Sequence, residues 1–341
     1  MCCGPVRGAF QQAQSAQQER SIIMKKQFVA AASAAVLAAG VLAGCGSSSA
    51  STAGTSAVAS AQTEAAQDAS TQTAAAASTA ADTQASAAAP ADGDNKITVA
   101  CSQTPHSEIL EQAKAVLEAQ GYDLEYTVFE DYVQPNNVVE SGDFDANYFQ
   151  HVNYLNSFNE ENGTHLVVAT NGKIHYEPFG IYGGTKKSLD EIADGDAIAI
   201  PNDTTNEARA LLLLQQAGLI TLNDGVGVTA TVNDVKDNPH NLKLVEVEAA
   251  QVPKQLPSVA FGVINGNYAL ENGLSVKKDA LVTEAADGDA IQQYVNIIAV
   301  KEGNEDLPKI KALTDALHSD TIVKYINDTY DGAVVPYDGA Q

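Results

Sequence analysis

The chain has 341 residues, 43 acidic against 19 basic side chains and a formal net charge of −24. That balance argues against nucleic acid, whose binding needs a basic stripe to displace counterions, and fits a solubilising surface. The length would suit roughly two domains. However, residues 46–95 are almost wholly Ala, Ser, Thr, Gln and Gly, with Val58 as their one branched aliphatic and no aromatic. Such a stretch cannot bury enough apolar surface to offset its ordering entropy, so a disordered spacer is expected. Residues 96–341 then form one two-lobed α/β unit.

Ahead of the spacer, Met24-Lys25-Lys26 opens an apolar run over Phe28–Ala43, shorter and richer in Ala than a spanning helix of about 20 residues requires. The run ends in Leu42-Ala43-Gly44-Cys45-Gly46, which resembles the bacterial lipobox. That resemblance implies a signal peptide over 24–44, cleavage before Cys45 and lipidation of its thiol. Residues 1–23 lack this logic and read as upstream of the true start, Met24. As a coil, a spacer over 45–95 would span about 40 Å, lifting an extracytoplasmic domain off the bacterial cell membrane that anchors it. Cys2 and Cys3 precede the signal, so Cys101 alone falls in the folded part, where it reads as a small core residue.

From Lys96 the pattern alternates strand and helix. Ile97–Cys101 is a short apolar strand, and Thr104-Pro105 offers a helix N-cap with Pro at the first helical position. Ile109, Ala113, Val116 and Leu117 keep helical spacing up to Gly121. Leu124–Phe129, Ala146–Phe149, Leu166–Ala169, Ala197–Ile200, Leu242–Val247, Val259–Ile264 and Val295–Val300 are strand candidates. Asn136–Glu140, a helix that follows Pro201-Asn202-Asp203-Thr204 and runs through Leu211–Leu214 to Gly218, Ile310–Leu317 and Thr321–Ile326 are the helical ones. The alternation predicts mostly parallel sheets covered by helices. Residues 96–172 and about 300–341 are expected in one lobe, with about 173–299 as the other.

Two blocks carry chemistry. Ala199-Ile200-Pro201-Asn202-Asp203-Thr204 is a strand end feeding a helix N-terminus, a place where open α/β folds bind anions. Asn206 and Arg209 follow on one helix face, the guanidinium suited to a carboxylate. Elsewhere, Phe129–Asn136 and Asp143–His151 gather aromatics at strand-to-helix junctions. Asn147, Phe149 and His151 are expected on one side of a strand, with Tyr154 in reach if a helix starts there. Aromatics so placed form either plain core or a socket for a thioether or aliphatic group.

With these residues in view, the ordered blocks FEDYVQPN, GDFDANYFQH, PNDTTNEARALLLLQQAGLI, DGVG and FGVIN resemble the methionine-binding lipoproteins of ABC importers, the MetQ/NlpA family. Thr104–Leu110 resembles that family's first helix, and the likeness spans nearly all of 96–341. It implies a periplasmic-binding-protein-like fold, two α/β lobes with a ligand cleft between them, that closes about a hinge. By the same resemblance Arg209 would bind an amino-acid carboxylate, and Asn206 and Asn265 would contact the carboxylate or ammonium end. Tyr132, Phe149, His151 and Tyr176 would surround the side chain, with Tyr154 and Asn202 as weaker carry-overs. Implied partners are L-methionine or a related amino acid, an ABC importer permease, and the membrane through Cys45.

No catalytic residue, cofactor or metal is expected. The six histidines lack metal-ligand spacing, Gly225-Val226-Gly227 and Gly183–Ser188 lack nucleotide-loop spacing, and no Gly-x-Ser-x-Gly elbow occurs. The rival readings are a binding protein for another amino acid or a methionyl dipeptide, an adhesin or sensor, and an exported enzyme using Asp131 or Asp145.

Overall fold

The computed structural model describes residues 95–284 and 293–339. The expected start at Met24, the signal over 24–44, Cys45 and the spacer up to its last residue lie outside them.

In chain order the elements that build the frame are β1 (Lys96–Cys101), α1 (Glu108–Glu118), β2 (Asp123–Val128), α2 (Gln134–Glu140), β3 (Ala146–His151), α3 (Val152–Asn162) and β4 (Leu166–Tyr176). They continue with β5 (Gly180–Gly183), β6 (Ala197–Pro201), α4 (Thr204–Gln216), β7 (Thr221–Leu222), β8 (Val235–Asp237), β9 (Lys243–Val247), α5 (Val252–Gln255), β10 (Phe261–Ile264), α6 (Gly266–Glu271) and β11 (Ala280–Thr283). The chain closes with β12 (Val295–Lys301), α7 (Pro308–Leu317), α8 (Asp320–Tyr330) and β13 (Val335–Pro336). A six-stranded sheet runs β13-β4-β12-β3-β1-β2 and a five-stranded sheet runs β11-β5-β10-β6-β9, with β7 and β8 as a separate pair.

Each large sheet is buried on both faces, which is why its central strands read as apolar runs rather than alternating ones. In the first lobe, Ile97, Val99, Tyr148 and Ile298 share a core with Ile109 and Ala113 of α1, Leu313 of α7 and Ile322 of α8. The opposite face buries Ile297 and Ala299 with Val139 of α2 and Leu155 of α3. In the second lobe, Ile198 and Ile200 meet Ala208 and Leu211 of α4, while Ala199 turns to Val252 of α5 and Tyr268 of α6. Each such large aliphatic contributes about 1.5–3 kcal/mol by leaving water.

Three expectations change. The sheets are mixed rather than mostly parallel: β3-β1-β2 and β10-β6-β9 are parallel, but β12, β4 and β13, like β5 and β11, pair antiparallel. The lobe boundaries also move, because β4 stays in the first sheet to Tyr176 and β12 rejoins it at Val295. The strand expected over Leu166–Ala169 runs on to Tyr176 through an irregularity at Asn171, whose φ is 56° and where the register to β12 shifts. Finally, Thr104 does not cap α1. A π-helical turn over Gln103–Ser107 precedes that helix, with a cis Thr104–Pro105 bond, and the Thr104 hydroxyl donates to Glu108 Oε1 at 2.7 Å.

Candidate functional site

The crossover Glu177-Pro178-Phe179 and the C-terminal ends of β3 and β6 bring both lobes around one cavity. Tyr132, Phe149, Gln150, His151, Tyr154, Glu177, Asn206, Arg209, Asn265, Gly266, Asn267 and Asn296 line it. Seven of the nine residues expected to bind ligand are therefore brought together.

α4 sets the polar end. Asp203 caps it with extended backbone, accepting the Asn206 N–H at 3.0 Å, so the helix N-terminus is answered by its own carboxylate rather than left for an external anion. The Asn206 amide nitrogen also lies 2.9 and 3.1 Å from the two Asp203 oxygens, which turns its Oδ1 toward the cavity wall. There Oδ1 accepts from Asn265 Nδ2 at 2.9 Å and faces His151 Nε2 at 3.1 Å. Because His151 also caps α3, accepting the Tyr154 N–H on Nδ1 at 3.1 Å, the assignment that satisfies both contacts is the neutral Nε2–H tautomer. Burial and, after it, the nearby Arg209 charge hold the ring neutral, with its pKa down to about 3. Asn206 thus acts mainly by orienting Asn265 and His151.

Arg209, 5% exposed, stands one turn further along α4. Its Nε donates to Glu284 Oε2 at 2.9 Å, Nη2 pairs with Glu284 Oε1 and donates to the Glu177 carbonyl at 3.0 Å, and Nη1 bonds to no described residue. Tyr294, Phe179 and Tyr176 flank the guanidinium at 4.2, 4.8 and 6.0 Å from their ring centroids. Desolvation by itself would lower the Arg209 pKa, but the buried charge and hydrogen bonds of Glu284 outweigh it and raise the pKa, so the group is a fixed cation.

The apolar end comes from the first lobe. Tyr132 lies 5.6 Å from Phe149 and 5.7 Å from Tyr154 between ring centroids, and stacks across the cleft on Tyr268 at 4.9 Å. Tyr132 O–H donates to Asn267 Oδ1 at 2.5 Å, and Tyr268 O–H to the Glu130 carbonyl at 3.1 Å, so the lobes are tied together over the socket.

Two expected residues stand elsewhere. Tyr176 is behind the wall, its hydroxyl on Glu284 at 2.5 Å, where it supports the Arg209 pair instead of surrounding a side chain. Asn202 is exposed ahead of the Asp203 cap and does not line the cavity. Asn147 does not share a face with Phe149 and His151 either. The β3–β12 register skips Phe149, a bulge that reverses the alternation and leaves Asn147 behind the wall with Asn136 and Gln150 at 2.9 and 2.8 Å. Glu284 and Glu177 were not singled out from sequence. Glu284 follows a strand too short to read and meets Arg209 from 75 positions away, while Glu177 pairs with the nearby His175 but reaches His106 only through the fold.

Glu177 also belongs to a buried chain of groups. Tyr148 O–H meets His175 Nδ1 at 2.5 Å, His175 Nε2 meets Glu177 Oε1 at 2.8 Å, and His106 Nε2 meets Asn296 Oδ1 at 3.0 Å. His106, His175 and Glu177 place three potential metal-ligand atoms within 4.8 Å. Those atoms are already engaged in hydrogen bonds, and His106 Nδ1 lacks the outer partner that orients a ligating imidazole. The cluster is read as a hydrogen-bond chain.

The pattern of the NlpA lipoprotein family matches residues 97–337. This chain belongs to that family. A methionine-binding lipoprotein MetQ of Bacillus subtilis (strain 168) is 42% identical over 247 residues, 72% of this chain and 89% of the relative. The crystal structure of a lipoprotein from Ruminococcus gnavus ATCC 29149 is 67% identical, with a TM-score of 0.70 over 72% of this chain and 100% of that one. A nutrient-binding protein from Burkholderia cenocepacia, solved bound to methionine, is 39% identical, with a TM-score of 0.67 over 70% and 99%. The family's fold, two α/β lobes about a cleft, is the fold of this chain. Among the described residues no helix is long and apolar enough to cross a membrane.

Proposed function

We propose that this member of the NlpA family is a non-enzymatic, extracytoplasmic solute-binding protein that captures L-methionine and delivers it to an ABC importer. Lipid on Cys45 anchors it to the bacterial cell membrane, and the spacer keeps the capture domain near its permease. The observation that carries the reading is one interlobe cavity with a fixed cation and amides at one end and three aromatic rings at the other. Arg209 Nη1 receives the ligand carboxylate, Asn265, held by Asn206, takes the polar backbone end, and Tyr132, Phe149 and Tyr154 hold the thioether chain. The methionine named for the Bacillus relative and bound in the Burkholderia one supports the choice of ligand. Apolar shape discriminates by only about 1–3 kcal/mol per methylene, so close isosteres such as norleucine compete.

Calorimetry with L-methionine tests this. Wild-type protein binds and returns the ligand chemically unchanged, while Arg209→Ala loses about 100-fold or more in affinity, the cost of removing one partner of a desolvated ion pair. Unchanged affinity in Arg209→Ala removes the assignment. A thermal-shift panel of other amino acids and methionyl dipeptides separates the ligand from its nearest rivals, because a ligand bound only by the native state raises the melting temperature. Conversion of Cys45 to Ser is expected to release the protein from the membrane fraction.

A further inference from the structure

The walls of the cavity divide by hydrogen-bonding sense. At the Arg209 end they offer donors. At the crossover they offer acceptors: Glu177, and Asn265 Oδ1, a buried oxygen with no described partner. Glu177 is 5% exposed, with Oε1 2.8 Å from His175 Nε2 and 3.5 Å from His106 Nε2. Its other oxygen is admitted by an absent side chain. A Cβ on Gly266 would fall 2.7 Å from Oε2 and 2.6 Å from the Glu177 Cβ, so only glycine at the start of α6 lets this carboxylate reach the wall beside Asn265. Arg209 is already committed to Glu284 and meets Glu177 only at its backbone carbonyl, so the guanidinium makes no ion pair with the Glu177 carboxylate.

We propose that Glu177 is the counter-ion for the ligand's α-ammonium group, so that the cavity selects free, unacylated amino acids and loses a proton from the Glu177 cluster to solvent when one binds. This rests on the amino-acid reading of the cavity and adds to it the group that reads the amine. The charged and titratable groups facing Glu177 are His106 ahead of α1, Tyr148 of β3, His175 of β4, Tyr132, Arg209 of α4 and Glu271 of α6. Burial raises the Glu177 pKa, and the Arg209 charge and the Asn267 N–H offset that only in part. Burial also keeps His106 and His175 neutral, so neither supplies the missing positive charge. A ligand ammonium does, and in doing so favours the ionised carboxylate.

The test is calorimetry of the full folded domain with L-methionine and N-acetyl-L-methionine, in two buffers of different ionisation enthalpy at one mildly acidic pH. In wild type the acetylated ligand is weaker by about 100-fold, and the buffer dependence reports proton release on binding L-methionine. Glu177→Gln loses about 30-fold for L-methionine, loses far less for the acetylated ligand, and abolishes the proton release. If Glu177→Gln binds L-methionine within about threefold of wild type with the same proton release, the inference is overturned while the proposed function stands. If both ligands weaken equally in the variant, Glu177 only supports the wall and the inference is likewise overturned. Failure of wild type to bind L-methionine instead overturns the proposed function. Should Glu177→Gln not fold, the wild-type comparison decides: equal affinity for the two ligands, or no proton release, refutes the role.

Discussion

Single residues in this protein are set by what their hydrogen bonds leave over. His151 spends one nitrogen on the α3 N-terminus and the other on Asn206, and so stays neutral. His106, His151 and His175 are held down to about 4, 3 and 3 respectively, mainly by burial. In the unfolded chain they titrate near 6.5, so as the pH falls from there toward 4 the unfolded state takes up protons that the native state refuses. Native stability from these groups is therefore full above that window and is lost through it. Thermal unfolding across this range should show it, and His151→Gln should flatten the acid side of the curve. Glu271 contributes with the opposite sign. Its carboxyl is pushed up to about 7, mainly by burial, so its penalty grows as the pH rises from the ordinary carboxylate value toward neutrality. Cys101, buried with its thiol raised to about 12, should resist thiol reagents until the domain unfolds.

At the level of elements, α4 is both scaffold and site. Its inner face buries Leu211 and Leu214, and its first turns carry Asn206 and Arg209. Leu211→Ala should cost about 2–5 kcal/mol in denaturant unfolding, with little direct effect on the cavity. Asp203→Ala should cost about 1 kcal/mol as a lost cap and also weaken ligand binding, because the Asn206 amide is no longer held. Asp203→Ser, which restores a cap with a single oxygen, should recover more stability than affinity. α6 makes the sharper demand. In Gly266→Ala the new methyl meets the Glu177 Cβ, close to the crossover backbone, so α6 must retreat from the first lobe; ligand affinity should fall more than the melting temperature of the free protein.

For the whole molecule the decisive contacts are the few that join the lobes. Tyr132 to Asn267, Tyr268 to the Glu130 carbonyl, His151 to Asn206 and Thr204 to Glu161 all cross the cleft. These bonds hold the two lobes against each other, so their loss is expected to favour separation of the lobes. Tyr132→Phe removes one of them while keeping the ring, and should weaken binding by about tenfold with a faster off-rate in stopped-flow measurements.

The frame of this protein was written locally. Strands such as Ile97–Cys101 and Ala197–Ile200 are apolar because both sheet faces are covered, and helical spacing with Gly121 and Gly218 marked where α1 and α4 end. The Asn206–Arg209 pair needed only the helix repeat to be placed on one face. The likeness to the lipoprotein family was legible for the same reason, since its blocks are contiguous in the chain. What only the tertiary structure decided lies between segments far apart. The bulge at Phe149 exists through pairing with β12, and Glu284 meets Arg209 from 75 positions away. Glu177 becomes part of the cavity only because Gly266 approaches it from the other lobe. Burial converts such encounters into fixed charges and neutral histidines, and no local pattern records which distant group supplies the partner.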